Sequence, residues 1–415
     1  MTSPSSLVTR RPPVRSGNVR GHNLGLALRC VAAGRGEISR AGISARTGLT
    51  RSTASSLVDE LIGGGLVREL GAITRPGIGR PPTVLALSSD GPAGLGLEMN
   101  VDYVAACVVD LTGRARYRHV VTQDQRGHAS EQVFDRVARL GREALAAVAG
   151  SGLRVCGTAV AVPGLVNLTS GTLALAPNLG WRDLDIADVF QRHAFGEHVT
   201  LDNEANFAAL SEDELLRGDQ SYLYVNGHIG VGAGLVLNGE LYRGRHGWSG
   251  EIGHQTVDRD GHECGCGRRG CLEQYAGQDA ILRAAGVTAP ASNAFGSRSV
   301  ADLMRERAES GDDRALDALA RSGSMLGFVL AGCLNLLDVD RVVLGGIYRE
   351  LAPWLVPEVE REVEARVIGA RWSPPAVQVA TYGAEAPALG AARSVVRGII
   401  NDPAPWLAPV PSPEG

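Results

Sequence analysis

The chain has 415 residues, too many for one hydrophobic core, and its 44% apolar and 21% charged residues suit an ordinary folded protein of two or three domains. It has no run of 18 apolar residues, which argues against a membrane span. Its N-terminus carries arginines without an apolar segment behind them, which argues against a secretory signal. Every basic residue is Arg, and the net charge of −4 is uneven: residues 1–82 hold twelve Arg against four acids, an excess of eight positive charges, so the remainder carries an excess of twelve negative ones. A basic head on an acidic body suits DNA binding joined to small-molecule binding.

Arg10, Arg11 and Arg15 make residues 1–17 a basic arm, expected to be disordered. A helix is predicted over 18–33, with Leu24, Leu26, Leu28 and Val31 apolar. A second is predicted over Ile38–Thr47 and a third over Thr50–Ile62, parted by the breaker Gly48. In the third, Ala54, Leu57, Val58 and Leu61 fall at i, i+3, i+4 and i+7, one apolar face, and Thr50 is a natural N-cap. Gly63-Gly64-Gly65 ends it. Strands Leu66–Leu70 and Thr83–Leu87 follow, joined by a loop that holds Arg75, Gly79, Arg80, Pro81 and Pro82.

Three helices and a hairpin predict a winged helix-turn-helix over residues 18–90, bound to a double-stranded DNA operator. The second helix of such a motif enters the major groove. That nominates Arg51, Ser52, Thr53, Ser55 and Ser56, which lie opposite the apolar face, as readers of base edges and phosphates. The flat, cationic Gly79-Arg80-Pro81, with Arg75, suits a narrow minor groove. A winged helix used for protein contact is the alternative.

From Gly94 the pattern turns to strand-rich α/β. Gly94–Asn100 and Tyr103–Val109 read as a hairpin closing at Asp110-Leu111-Thr112-Gly113, and a like unit recurs over Tyr222–Leu241 with a turn at Asn238-Gly239. Between them a helix is predicted near 129–149 and a buried strand over Val155–Val162. Helices near 299–338, a strand at Arg341–Leu344 and a helix near 386–399 complete the domain. Two hairpin-led halves predict a two-lobed domain over 91–400, the lobes at about 91–200 and 201–385, with the last helix packed back on the first. The Pro-rich tail, 401–415, is expected to be disordered.

Three of the seven cysteines crowd into Cys264-Gly265-Cys266-Gly267-Arg268-Arg269-Gly270-Cys271, and His254 precedes them; the other four are scattered. That distribution suits a metal site in a reducing compartment rather than a disulfide framework. Three thiolates and one imidazole complete a tetrahedron with no open position, which is how structural zinc is held. Glu251 and Glu273 flank the site. A carboxylate accepts hydrogen bonds from two sugar hydroxyls, and a metal-bound imidazole offers its second nitrogen to a third.

Glu251-Ile252-Gly253-His254 and Cys264 through Glu273 resemble the two signatures of the ROK family of repressors, open reading frames and sugar kinases. Val162-Pro163-Gly164, Pro177-Asn178-Leu179-Gly180-Trp181 and Asn203-Glu204-Ala205-Asn206 support the match, which covers about 92–400. With the preceding winged helix the chain resembles the family's regulators, of the xylose and N-acetylglucosamine repressor type. The resemblance implies a two-lobed actin/hexokinase-like (ribonuclease H-like) fold, structural zinc on His254, Cys264, Cys266 and Cys271, and sugar contacts from Asn203, Glu251, His254 and Glu273.

Kinases of the family open with Asp-x-Gly-Gly-Thr, where glycines let phosphate approach the backbone; here the stretch reads Glu98-Met99-Asn100-Val101-Asp102, branched at Val101 and acidic at Asp102. The second phosphate loop, Gly-Thr-Gly-Ile-Gly in kinases, reads His228-Ile229-Gly230-Val231-Gly232. The base of Asn-Asp-Ala-Asn is replaced by Glu204, one methylene longer, which spoils in-line geometry while still binding a hydroxyl. Gly345-Gly346 stands where an adenosine-binding turn would lie and equally fits a plain turn.

The expectation is therefore a sugar-responsive transcription factor, a repressor and not an enzyme. It is expected to act as a homodimer or homotetramer in the cytoplasm, on the nucleoid when bound to DNA. A sugar kinase with an accessory DNA-binding domain, or a regulator answering to a protein partner, are the alternatives. Sugar selectivity is expected to rest on loop positions such as Asn178, Trp181 and His228.

Overall fold

The computed structural model describes residues 16–72, 83–193, 195, 199–212, 220–287 and 299–407. The chain forms two units. One comprises the residues up to Ser88 together with those from Gly398 onward; the other runs from Ser89 to Arg397. The architecture is α/β, with a winged helix-turn-helix head and a two-lobed actin/hexokinase-like body, as predicted.

In the first unit α1 (Ser16–Ala33), α2 (Arg40–Thr47) and α3 (Arg51–Gly63) pack with a small sheet of β1 (Ile38–Ser39), β3 (Thr83–Leu87) and β2 (Val67–Ala72), in that order. The predicted second helix starts two residues late, because Ile38 and Ser39 pair with β3 and the Ser39 hydroxyl caps α2 through the Gly42 N–H, 3.3 Å away. Thr50 caps α3 by accepting from the Thr53 N–H at 3.2 Å, and Ala54, Leu57, Val58 and Leu61 are its buried face. They meet Leu24, Leu28 and Val31 of α1 and Ile43 of α2 in the core.

The tail differs from expectation. Asn401 ends a helix and Ala404–Leu407 forms another, packed on α1 and α3, with Arg29 donating to the Asn401 carbonyl at 3.4 Å. Buried Pro403 is the corner between them. Residues 408–415, the arm through Arg15 and the wing tip lie outside the described residues.

In the second unit the first lobe carries β4 (Gly91–Met99), β5 (Tyr103–Asp110), β6 (Ala115–Thr122), α4 (Ser130–Val148), β7 (Leu153–Val162), a three-stranded flap of β8 (Leu165–Asn167), β9 (Thr172–Ala176) and β10 (Trp181–Asp185), then α5 (Ile186–Arg192) and β11 (Val199–Asn203). The second carries α6 (Glu204–Glu212), β12 (Tyr222–Gly227), β13 (Val231–Leu237), β14 (Glu240–Tyr242), α7 (Glu273–Ala276), α8 (Gln278–Ala284), α9 (Val300–Glu309), α10 (Asp313–Leu337), β15 (Arg341–Gly346), α11 (Ile347–Glu350), α12 (Ala352–Arg366) and β16 (Ala376–Val379). Helix α6 packs on β12 and β13 of its sheet. The last helix, α13 (Ala386–Asn401), sets the backbone of Ala388 and Ala392 against β4.

The two main sheets follow one plan. Their orders are β6-β5-β4-β7-β11 and β14-β13-β12-β15-β16; in each, three antiparallel strands are followed by two parallel ones. The predicted hairpins are off by one turn. Asn100–Asp102 closes β4 on β5, whereas Asp110–Gly113 leads into β6; likewise His228–Gly230 joins β12 to β13, and Asn238-Gly239 joins β13 to β14. The first lobe closes its core between the sheet and α4, through Leu97, Val104, Phe134 and Val137. The second buries Val225, Leu235, Leu326, Leu330 and Leu355. Among the described residues α10 is the one helix long and apolar enough by composition to cross a membrane, its few charges confined to its first turns; here Leu319, Leu326, Leu330 and Leu334 are buried in that core.

Candidate functional site

The metal-loop residues converge. One donor atom each from His254, Cys264, Cys266 and Cys271 lies within 4.8 Å of all the others. His254 ends the short turn Ile252–His254 and the cysteines sit in a loop closed by Cys264 N–H to Arg268 O (2.8 Å) and Val257 N–H to Gly270 O (2.8 Å). A Cβ on Gly270 would stand 1.5 Å from the Asp258 carbonyl oxygen, so only glycine lets Cys271 return to the cluster. His254 Nδ1 is 3.7 Å from Cys264 Sγ and its Nε2 is 3.9 Å from Glu251 Oε2. One nitrogen faces the sulfurs and the other the cleft. Burial, with Arg268 nearby, holds His254 below its ordinary pKa, and the neutral imidazole is the form a metal takes. The donor set fits a closed tetrahedral ion.

A cleft opens beside this loop, lined by Asn203, Glu204, Glu251, His254 and Glu273 among others. All five predicted sugar contacts therefore share one cavity. Asn203 ends β11 and Glu204 starts α6; Asn203 Nδ2 donates to the Gly164 carbonyl (3.1 Å) and to Glu204 Oε2 (2.7 Å). Glu273, at the start of α7, accepts from the Val231 N–H at 3.3 Å. Burial, then the charge of Glu273, pushes Glu251 up to about 7, and burial raises Glu273 and Glu204 as well. Glu251, with its pKa near neutrality, can both donate to and accept from a hydroxyl, which suits a polyol better than an anion.

The other end of the cleft is lined by Asn100, Val101, His228 and Ile229. Glu98 is buried and accepts from the Tyr103 hydroxyl (2.5 Å) and from Asn100 Nδ2 (3.1 Å), while Asn100 Oδ1 accepts from the Val101 N–H (2.7 Å). Val101 is 3% and Ile229 8% exposed, and both branched side chains line this end of the cleft. The His228 ring lies 5.4 Å from that of Tyr103, with its buried Nδ1 lacking a partner among the described residues. Burial lowers its pKa. Arg126 of the first lobe, held by Asp124 at 2.8 Å, reaches Asp279 of α8 at 3.5 Å. A Cβ on Gly345 would stand 1.9 Å from the Tyr224 hydroxyl, so the sheet itself demands that glycine.

Of the positions named for selectivity, Asn178 and His228 line the cleft. Trp181 does not. It is 7% exposed, packed edge-on against Phe134 at 5.5 Å in the first-lobe core, where strand β10 turns it inward.

On the head, Arg51, Ser52 and Ser56 are exposed and Thr53 and Ser55 half-exposed, all on the face of α3 away from the core. Three of the head's four acids are engaged elsewhere: Arg40 binds Asp59 and Glu69, and Arg20 binds Glu60. Arg51 and Arg46 have no ion-pair partner among the described residues. Arg46, exposed in the last turn of α2, was missed in the sequence because the reading centred on the second helix of the motif; its cue is that the first helix of such a pair crosses the DNA backbone. Arg75 and Arg80 lie outside the described residues.

With this geometry in view, comparison with known proteins is decisive for the lineage. Residues 94–397 match the ROK family and residues 26–71 the IclR helix-turn-helix domain. The chain belongs to the ROK family. The xylose repressor of Bacillus subtilis (strain 168) is 31% identical over 364 residues, covering 86% of this chain and 91% of that protein. The glucokinase of Streptomyces coelicolor is 28% identical over 318 residues, 72% of this chain and 97% of the enzyme. Among solved structures, a ROK family transcriptional regulator described as a homolog of the E. coli MLC protein shares the fold over 92% of this chain and 97% of its own, with a TM-score of 0.74 at 24% identity. A ROK glucokinase from Streptomyces griseus, in complex with glucose and AMPPNP, aligns over 73% of this chain and 98% of its own at a TM-score of 0.61 and 30% identity. The ROK repressors thus align through head and body, the ROK kinases through the body alone.

Proposed function

We propose that this chain is a sugar-responsive DNA-binding repressor of genes for carbohydrate uptake or breakdown, with xylose, the sugar in its relatives' names, as the first candidate effector. What supports the reading is a cleft that gathers Asn203, Glu204, Glu251, His254 and Glu273 and that carries branched Val101 and Ile229 where the family's kinases have phosphate-loop residues. Asn203, Glu204, Glu251, His254 and Glu273 bind the sugar, and structural zinc on His254, Cys264, Cys266 and Cys271 fixes His254 and the chain leading to Glu273. Arg51, Ser52, Thr53, Ser55 and Ser56 read the operator, with Arg75 and Arg80 of the wing and with Arg46 on phosphate. The active species is a homodimer or homotetramer, because two half-sites give a winged helix its affinity. It works in the cytoplasm.

Control requires the sugar to favour one conformation over another. A gel shift on the chain's own promoter, with and without a panel of sugars, tests this: release by one sugar is expected, and specific binding that no sugar alters would refute the sensing half. The kinase alternative rests on the glucokinase relatives and on the carboxylate kept at Glu204. A coupled assay for ATP turnover with hexoses and pentoses decides it, and no turnover is expected.

A further inference from the structure

The two banks of the cleft come from different sheets. Asn203 and Glu204 stand at the end of β11 and the start of α6, and Glu251 and His254 follow β14. A buried charge ties one bank to the other. Asp202, 1% exposed, accepts with Oδ1 from the Asn203 N–H (2.8 Å) and from Asn206 Nδ2 (2.7 Å), and with Oδ2 from Arg243 Nε (2.6 Å). Arg243 lies directly after β14. Its carbonyl accepts from the Ser249 N–H at 3.2 Å, closing the loop that delivers Gly250 and then Glu251. The Gly250 carbonyl in turn accepts from the Ala233 N–H of β13 at 3.0 Å. An unbroken path of short bonds thus runs from Asn203 and Glu204, through Asp202 and Arg243, to Glu251.

We propose that Asp202 and Arg243 are a positioning pair for sugar recognition: they hold the Asn203–Glu204 bank in register with the Glu251–His254 bank and touch the sugar themselves at no point. The inference rests on the sugar-cleft reading above. For stability alone, an apolar pair of the same volume would serve as well, since desolvation offsets much of the attraction between buried charges. What a carboxylate with both oxygens engaged adds is direction. It fixes the angle of the strand end that carries two contact residues, and misplacement of such groups by about 1 Å is enough to weaken recognition severely.

Titration calorimetry with D-xylose, and with D-glucose as a second probe, tests the pair in the full-length protein. Arg243→Met leaves Asp202 the Asn203 N–H and the Asn206 amide as partners, and a melting curve beside metal content shows whether the fold stands. The substitution is expected to lower sugar affinity on the order of ten-fold or more, the range typical of groups that orient a ligand-bearing residue. Metal content and sugar-free operator binding are expected to stay as in the wild type, and Arg243→Lys, which still reaches Asp202, to regain much of the loss. Deoxy analogues supply a readout that a purely structural role would not move. Deleting the hydroxyl that meets Glu204 is expected to cost the wild type more affinity than it costs Arg243→Met. Equal sugar binding by Arg243→Met and wild type, or no advantage of Arg243→Lys over Arg243→Met, would overturn the pair's role. A wild type that binds neither probe nor any other sugar overturns the sugar reading itself, a result visible before any variant is made.

Discussion

Glu251 Oε2 stands 3.9 Å from His254 Nε2, on the side of the imidazole opposite the three cysteine sulfurs. The two residues therefore separate experimentally. Glu251→Gln is expected to weaken sugar binding while the metal stays bound. His254→Ala is expected to lose both, and chelation of the wild type should reproduce His254→Ala. Elemental analysis beside calorimetry checks all three; sugar affinity untouched by chelation would break the link between loop and cleft.

Arg51 and Arg46 differ in what they are expected to meet on DNA. Arg51→Ala, at the start of the reading helix, should cost about 1–3 kcal/mol on the true operator and blur discrimination at one base pair. Arg46→Ala should weaken every DNA sequence alike and reduce the salt dependence of binding by about one phosphate contact. Fluorescence anisotropy across salt concentrations separates the two patterns.

Glu98 sets a pH dependence. Burial, opposed in part by the hydrogen bonds from Tyr103 and Asn100, pushes it up to about 8, above the ordinary carboxylate range of the unfolded chain. The folded protein then holds a proton that the unfolded chain has lost, so its contribution is full below about pH 4.5 and declines as pH rises toward 8. Glu98→Gln keeps the neutral form at every pH. It should match the wild type in melting temperature near pH 5 and exceed it near pH 8.5, each 1 kcal/mol being worth about 2–4 °C. Melting curves that stay parallel across this range would contradict it.

The segment after Asn401 belongs to the head. Leu407 lies against Gly64 at the end of α3, and Ala404–Leu407 packs on α1 and α3. Ending the chain at Asn401 should lower operator affinity and the stability of the head by about 1–3 kcal/mol, the worth of one or two apolar side chains, with sugar binding unchanged. Operator binding as strong as that of the full chain would refute the packing role.

How much of this was legible in the sequence follows from where local signals were strong. Thr50 and the spacing of Ala54, Leu57, Val58 and Leu61 placed α3 within a residue, because a cap and one apolar face determine a helix locally. The metal loop was legible because three cysteines and a histidine have few other reasons to crowd. Strand β6 was not: Arg116, Arg118 and His119 interrupt its apolar residues, as expected for an edge strand with little burial. Helix α12 was hidden by Pro357 inside it, and the short helix Ala404–Leu407 by Pro403 and Pro405, which read as disorder where contacts with α1 and α3 give order. Trp181 carried a motif's signal and a core residue's job. Asp202–Arg243 was invisible, since nothing in sequence joins residues 41 apart.

The turns Asn100–Asp102 and His228–Gly230 occupy matching places in the shared strand plan, each after the first strand of its sheet. On the regulator reading proposed above, each places one branched residue, Val101 or Ile229, where a phosphate would need open backbone. Replacing one of them by glycine would then leave the other in place, so no single substitution there is expected to give ATP turnover, and only the double replacement tests the two turns together.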